Sequence, residues 1–201
     1  KDCARINAEY INSQDGVSIT MRAIHHHATQ KNYKPYIEPK EGAVATTSFI
    51  NELQLKIGAK VMLIHNVDTT YCLTNGQLGV LIAAIKTKKE EIYKLVVKLN
   101  VKSAGKQNRN KHPALASRYP DCVIIERVSN QYTLRKKSGD VSSTATVIQF
   151  PIKLAFAITS HKIQVQTIPW PIKVVLDIDS VFEDAQAHVM LSRVKQIHKR
   201  Y

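Results

Sequence analysis

Residues 55–80, LKIGAKVMLIHNVDTTYCLTNGQLGV, decide how the rest of the chain is interpreted. Val61–Ile64 is a short apolar run, and a second run extends from Gln77 to Ile85. Short apolar runs that are bounded by turn residues predict β-strands. Asn75 and Gly76 precede the second run, and this residue pair is typical of a tight turn. The stretch therefore predicts two strands joined by a structured connection.

Strand patterns continue on the carboxyl side of this stretch. Runs at Ile92–Leu99, Val123–Arg127 and Tyr132–Lys136 predict three more strands. Five short strands separated by polar turns favour a small antiparallel barrel. Residues 100–121 are basic and rich in Asn, Ser and Lys, and we predict a functional or disordered loop there.

The segments on either side show other patterns. Residues 2–13 predict an amphipathic helix, and Val17–Met21 predicts one short strand. The run His25–His27 is predicted to lie on the surface, because consecutive residues rarely point at one metal ion. After Phe150 come an apolar run to Ile158, a buried-type strand at 174–178 and a helix at 185–194. This order is typical of an α/β unit with a central parallel sheet.

Positive charge is concentrated in the middle of the chain. The formal net charge is +13, and residues 86–137 contain 14 basic and 4 acidic residues. Such a block favours a polyanionic partner, because every neutralised phosphate releases counterions. A solvated lysine surface remains the alternative.

Composition narrows the class of protein. The three cysteines, Cys3, Cys72 and Cys122, form no CxxC pair, so we expect no thiolate metal site and a reducing compartment. No apolar stretch reaches the roughly 20 residues of a membrane span, and no signal peptide is visible. The chain begins without Met, and we expect it to be a piece of a longer protein.

Three segments together resemble the Pif-type ATP-dependent DNA helicases. Residues 55–80 resemble that family's Gly-Ala-x-Val-Met-Leu strand and Leu-x-Asn-Gly-x-x-Gly-Val turn. Residues 150–168, FPIKLAFAITSHKIQVQTI, are similar to the motif ending in Thr-x-His-Lys-Ser-Gln-Gly-x-Thr. Residues 185–195, AQAHVMLSRVK, resemble the last helicase motif, and their sequence is similar to that of helicases of eukaryotic Helitron transposons.

The resemblance implies a fold class and a domain layout. The expected fold is α/β, a second RecA-like helicase domain with an inserted Src-homology-three-like antiparallel β-barrel. Residues 1–74 would begin the RecA-like domain, residues 75–149 would form the barrel, and residues 150–201 would return to the RecA-like domain. The family acts in DNA repair and recombination, which implies a nuclear location here.

The resemblance also implies an activity and its partners. The chain would be the C-terminal motor half of a helicase that moves 5′ to 3′ on single-stranded DNA. ATP and Mg would be held mostly by an N-terminal RecA-like domain of the same protein. No membrane partner and no metal ligands within this segment are expected.

The same motifs imply the site residues. Arg193 would be the arginine finger, a fixed cation that stabilises charge on the transferring phosphoryl group. Gln164 would contact the nucleotide together with Arg193. Residues on the turn after the apolar strand, and a side chain in the first motif, would bind DNA phosphates, which carry no base identity; these are Asn75, Thr159, His161 and Lys162.

Some positions depart from the family pattern. Ile163 and Val165 stand where the family has Ser and Gly, and a β-branched residue does not easily adopt the backbone angles of Gly. Asp184 and His188 replace the Gly and Tyr of the last motif. These departures favour a second interpretation, a catalytically inactive helicase relative that still binds nucleic acid or serves as an interaction module.

A phosphate-binding loop is missing from the sequence. No GxxxxGK[ST] pattern occurs in the 201 residues, so the chain alone is expected not to hydrolyse ATP. A third interpretation, a basic barrel-type RNA-binding protein unrelated to helicases, explains the charge but not residues 187–194.

Overall fold

The computed structural model of the chain describes residues 2–27, 44–45, 49–101, 103–135, 141–159, 162, 174–176 and 186–193. The predicted first helix is confirmed as α1, Asp2–Ser13. Shorter helices in the described ranges are α2 Lys106–Lys111, α3 Pro113–Arg118 and α4 Gln186–Ser192.

Eleven strands are present in the described residues. In chain order they are β1 Ile19–Arg22, β2 Ile24–His27, β3 Val44–Ala45, β4 Glu52–Leu55, β5 Lys60–Leu63, β6 Leu78–Lys86, β7 Ile92–Leu99, β8 Val123–Glu126, β9 Val128–Arg135, β10 Val141–Gln149 and β11 Ile152–Leu154.

These strands form three sheets. One has five strands in the order β11-β5-β6-β7-β8, one has four in the order β2-β10-β9-β3, and β1 pairs with β4. The two strands predicted from residues 55–80 are confirmed as β5 and β6, which pair with Met62 opposite Leu78. Gly76 lies in the turn before β6 and has a φ of 95°, a conformation that glycine adopts without steric cost.

The main core lies under the five-stranded sheet. Alternate residues of its strands point to one side and pack with Phe150 and with residues of β1 and β4. The members include Leu55, Val61, Leu81 and Ile125, each at most 1% exposed. A smaller core around Tyr132 and Val147 belongs to the four-stranded sheet.

Gln149 joins the sheets at one point. Its Nε2 donates to the carbonyls of Met21 and Ile50, at 3.0 and 3.3 Å. Its Oε1 accepts from the Phe150 amide at 2.9 Å and from the Arg127 guanidinium at 3.1 Å. One buried amide therefore contacts β1, the entry to β4, the start of β9 and the end of β10.

The prediction of an irregular loop at residues 100–121 is wrong, because the segment contains α2 and α3. Gly105 precedes α2 in the left-handed conformation, with φ of 74°. Asn108 of α2 both donates to the Ile124 carbonyl and accepts from the Ile124 amide, at 2.8 and 2.7 Å. These bonds attach α2 to β8 and come from tertiary contacts that no local pattern shows.

The predicted closed barrel is not found in the described residues. β11 and β8 are the two edges of the five-stranded sheet, and every strand pairing in the described ranges is antiparallel. The central parallel sheet is likewise not seen there. Of the strand predicted at 174–178, residues 174–176 are described without strand structure, and the rest lie outside the described residues.

The histidine run lies in a strand. β2 pairs with β10, and His25 bonds the Tyr132 hydroxyl through Nδ1 at 2.8 Å and Asn51 Oδ1 through Nε2 at 3.0 Å. His25 and His26 are half-buried, so each of these side chains lies partly at the surface. The three predicted domain ranges all contribute strands to the five-stranded sheet, and their boundaries stay predictions.

Candidate nucleic-acid interface

A basic and aromatic surface forms where α1 meets the end of β11. β11 pairs with β5 so that Lys153 lies opposite Met62, while Ile152 and Leu154 pack with the main core. Alternation along the strands therefore places Lys60 and Lys153 on the face away from that core. We call this the α1–β11 surface; its members are Tyr10, Lys60, Lys153, Phe156, Thr159 and Lys162.

Two contacts hold α1 on this surface. Asn7 Nδ2 donates to the Ala157 carbonyl at 2.8 Å, and the Ala157 amide donates to Asn7 Oδ1 at 2.9 Å. One turn later, the ring of Tyr10 stacks on Phe156 with centroids 4.0 Å apart and planes 3° from parallel. The chain after β11 is thus fixed by a side-chain amide and an aromatic pair.

Three ammonium groups give the surface its charge. Lys60 Nζ lies 5.1 Å from the centroid of the Phe156 ring. Burial lowers the pKa of Lys153, and the positive charge of Lys162 lowers it further. Lys153 and Lys162 are therefore close enough to repel each other, and an anion between them would relieve that repulsion.

The structure brings two of the predicted DNA-binding residues to this surface. Thr159 and Lys162 are both exposed, and the Lys162 amide donates to the Thr159 carbonyl at 3.0 Å. The predicted residues His161 and Gln164 lie outside the described residues, as do Ile163 and Val165.

Asn75 lies elsewhere on the sheet. The Gly76 amide donates to the carbonyl of Leu63, at one end of β5, while the Ala155 amide donates to the carbonyl of Lys60 at the other end. At about 3.3 Å per residue, the two ends of this four-residue strand are about 10 Å apart. The side chain of Asn75 is exposed, and its backbone amide donates a hydrogen bond to Asn66 Oδ1 at 2.8 Å. A ligand contacting both Asn75 and Thr159 must follow the length of β5.

Arg193 directly follows α4. Its amide donates to the Met190 carbonyl at 3.3 Å, and its Nε and Nη2 donate to Ser192 Oγ at 3.2 and 3.0 Å. The residue is half-buried. Its predicted role as arginine finger stays a prediction.

Some cations of the basic block, residues 86–137, make contacts within the protein. Arg127 Nη1 donates to the Arg22 carbonyl at 2.8 Å, and its guanidinium lies 4.9 Å from the Phe150 ring centroid. Arg109 Nη1 donates to the Ala104 carbonyl, and Lys94 pairs with Glu126 at 3.1 Å. The cations of the described block that stay exposed are Lys86, Lys88, Lys89, Lys98, Lys106, Lys111 and Arg118.

Comparison with known proteins finds similarity to one family of helicases. The family model described as DNA helicase Pif1, 2B domain, matches residues 46–83. The ATP-dependent DNA helicase Pif1 of Campylobacter jejuni is 33% identical over 160 residues, which cover 78% of this chain and 30% of that protein. The chain is homologous to the Pif1 family of DNA helicases. The Psychrobacter Pif1 is 29% identical over 220 residues, covering 96% of this chain and 31% of that protein.

Solved Pif1 structures have a similar fold. The Pif1 helicase of Candida albicans superposes with a TM-score of 0.60 at 26% identity, covering 96% of this chain and 41% of that chain. Bacteroides Pif1 bound to single-stranded DNA superposes with a TM-score of 0.61 at 22% identity, covering 97% and 36%. The chain thus spans between 30% and 41% of the length of these four Pif1 proteins. This homology excludes the interpretation of a basic barrel protein unrelated to helicases.

The sequence patterns did not predict four of the six residues of the α1–β11 surface. Tyr10, Lys60, Lys153 and Phe156 were not singled out as binding residues, because they come from three separate elements. The spacing of Asn7 and Tyr10, three residues apart on one helical face, was a signal that this face docks on a partner element.

The described ranges contain no candidate for a membrane span or for a metal site. No helix there is long and apolar enough to cross a membrane. No group of three or more His, Cys, Asp or Glu residues there is arranged to hold a metal ion.

Proposed function

We propose that the chain is the C-terminal motor half of an ATP-dependent 5′-to-3′ DNA helicase. In this proposal the α1–β11 surface binds the backbone of single-stranded DNA, and Arg193 reaches ATP and Mg held by a preceding RecA-like domain. The observation that carries the proposal is the placement of Thr159 and Lys162 beside Lys60 and Lys153. A hydroxyl and three ammonium groups suit phosphates and read no base.

Solved structures of a relative support the proposed binding of single-stranded DNA and of a nucleotide. Bacteroides Pif1 has been crystallised with single-stranded DNA, and also with ADP-AlF3 and single-stranded DNA. For the present chain the likeness at 22% and 23% identity concerns the fold, and the ligands are part of the proposal. The similarity of residues 185–195 to Helitron helicases and the nuclear location belong to it as well.

Binding across a salt series tests the proposal. We expect the 201-residue chain to bind fluorescently labelled oligonucleotides without sequence preference, with an affinity that falls steeply as salt rises. Replacing Lys60 and Lys162 by Gln should reduce the salt slope by about 1.4, because each phosphate contact on a single strand contributes about 0.7. Arg5→Gln, which removes an exposed α1 cation paired with Glu9, is the matched control and should leave the slope unchanged. Salt-independent or strongly base-specific binding would contradict the proposal.

An inactive helicase relative is the second candidate, favoured by Ile163 and Val165. If the family Gly lets the backbone approach the nucleotide, the β-branched residue weakens coupling. In the full-length protein, Ile163→Ser with Val165→Gly should then raise DNA-stimulated ATP turnover. Unchanged turnover in an otherwise active enzyme would show that the motif tolerates Val at this position.

A further inference from the structure

The Phe156 ring is an exposed aromatic surface with a rigid backing. The residue is 46% exposed, whereas the nearby Phe150 is completely buried. Tyr10 covers one face of the Phe156 ring at 4.0 Å and 3°. Parallel rings at this spacing leave no room for another group between them, so Lys60 Nζ, at 5.1 Å from the centroid, lies over the opposite face.

The pair is held in place before any ligand arrives. The two hydrogen bonds between Asn7 and Ala157 attach the backbone next to Phe156 to the helix that carries Tyr10. A ring fixed in this way loses little conformational freedom when it binds a flat partner. Rigid aromatic side chains beside cations are the usual platform for bases of single strands.

The open face has the dimensions of a stacking site. A flat ring stacks at about 3.5 Å, which is closer than the ammonium group of Lys60. Lys60 is exposed, and rotation of its long side chain frees the ring face while keeping the charge nearby. The displaced ammonium group can then meet a phosphate that flanks the stacked base.

We propose that Phe156, backed by Tyr10, stacks on one nucleobase of bound single-stranded DNA while Lys60 contacts an adjacent phosphate. This inference rests on the proposed function and adds a contact to the base, which Thr159 and Lys162 do not make. Stacking on a π-face accepts every base, so the contact leaves binding free of sequence preference.

Abasic oligonucleotides test the stacking separately from the phosphate contacts. We would measure affinities of the chain for a labelled thymidine oligomer and for the same oligomer with all bases removed. Base removal should weaken binding by about fivefold or more, the effect expected for one base–aromatic stack. In Phe156→Leu the intact oligomer should bind about as weakly as the abasic one, and base removal should cost nothing further. Phe156→Trp should restore the difference.

Tyr93 provides the matched control. It is 42% exposed, and Lys94 Nζ lies 5.4 Å from its ring centroid, but the described residues place no second ring in parallel contact with it. Tyr93→Leu should therefore keep the full penalty for base removal. A 5-iodouracil oligomer irradiated on the wild-type chain should cross-link to Phe156.

The outcomes separate the two proposals. Equal affinities of the wild-type chain for intact and abasic oligomers, with a steep salt slope, would overturn stacking and leave phosphate binding standing. An equal loss in Tyr93→Leu and Phe156→Leu would also overturn it. If the wild-type chain binds neither oligomer at any salt concentration, both proposals are wrong.

Discussion

Gln149 is 1% exposed, and both ends of its side-chain amide have partners. Replacing it by Leu leaves the Met21 and Ile50 carbonyls and the Phe150 amide without this partner. An unsatisfied buried polar group costs about 1–3 kcal/mol, so we expect Gln149→Leu to lower the free energy of unfolding by about 2–4 kcal/mol. Urea denaturation would measure the loss. Gln131→Leu, at an exposed position of β9, is the control and should change stability by less than about 0.5 kcal/mol.

Gly79 is required by packing between β6 and β7. A Cβ atom at this position would lie 2.6 Å from the Lys98 carbonyl oxygen and 3.0 Å from Val97 Cγ1. Gly79→Ala is therefore expected to destabilise the fold by about 1–3 kcal/mol, the cost of overpacking. Thermal unfolding should show a lower midpoint. An unchanged midpoint would show that β7 moves away at no cost.

Residue patterns predicted some elements well and others not at all. Strands β5 to β8 were predicted to within a residue or two, since each is an apolar, β-branched run. β10 was missed because its first half, VSST, has the composition of a turn, although Ala145 and Val147 are completely buried. At the candidate site, Thr159 and Lys162 were predicted from a sequence motif. Tyr10 and Phe156 were not, because they are far apart in the sequence and meet only when the chain folds.

At the scale of elements, His112 lies between α2 and α3 and faces charged groups of β7 and β8. Lys94 Nζ lies 3.3 Å from its Nδ1, and Lys94 also pairs with Glu126. Burial, and then the charge of Lys94, lower the pKa of His112 below its ordinary value of 6.5, while Glu126 opposes the shift. The unfolded chain therefore takes up a proton at a higher pH than the folded chain does.

Acidification destabilises the fold through His112. The stabilising contribution of neutral His112 is complete above pH 6.5 and is lost as the pH falls through 6.5 towards the lowered pKa. We expect denaturation measured at about pH 7.5 and about pH 5.5 to show a smaller loss of stability in His112→Asn than in the wild-type chain. Equal losses would mean that other groups set the pH dependence.

At the scale of the whole molecule, the proposed motor divides its work between two regions. In the proposed function, Arg193 would contact the nucleotide, and the α1–β11 surface would contact DNA. Arg193→Ala in the full-length protein should therefore lower ATP turnover by about 10³-fold or more, the effect of losing an arginine finger. DNA affinity should stay nearly the same. Steady-state ATPase assays and anisotropy titrations would check both halves, and unchanged turnover would show that Arg193 is not the finger.

The bonds between Asn7 and Ala157 also constrain when the chain can fold. The two residues are 150 positions apart, and synthesis proceeds at about 5–20 residues per second, so α1 waits about 8–30 s for its docking partner to be made. During that time Tyr10 lacks its stacking partner Phe156. Docking of α1 through these contacts is therefore a late step in folding during synthesis.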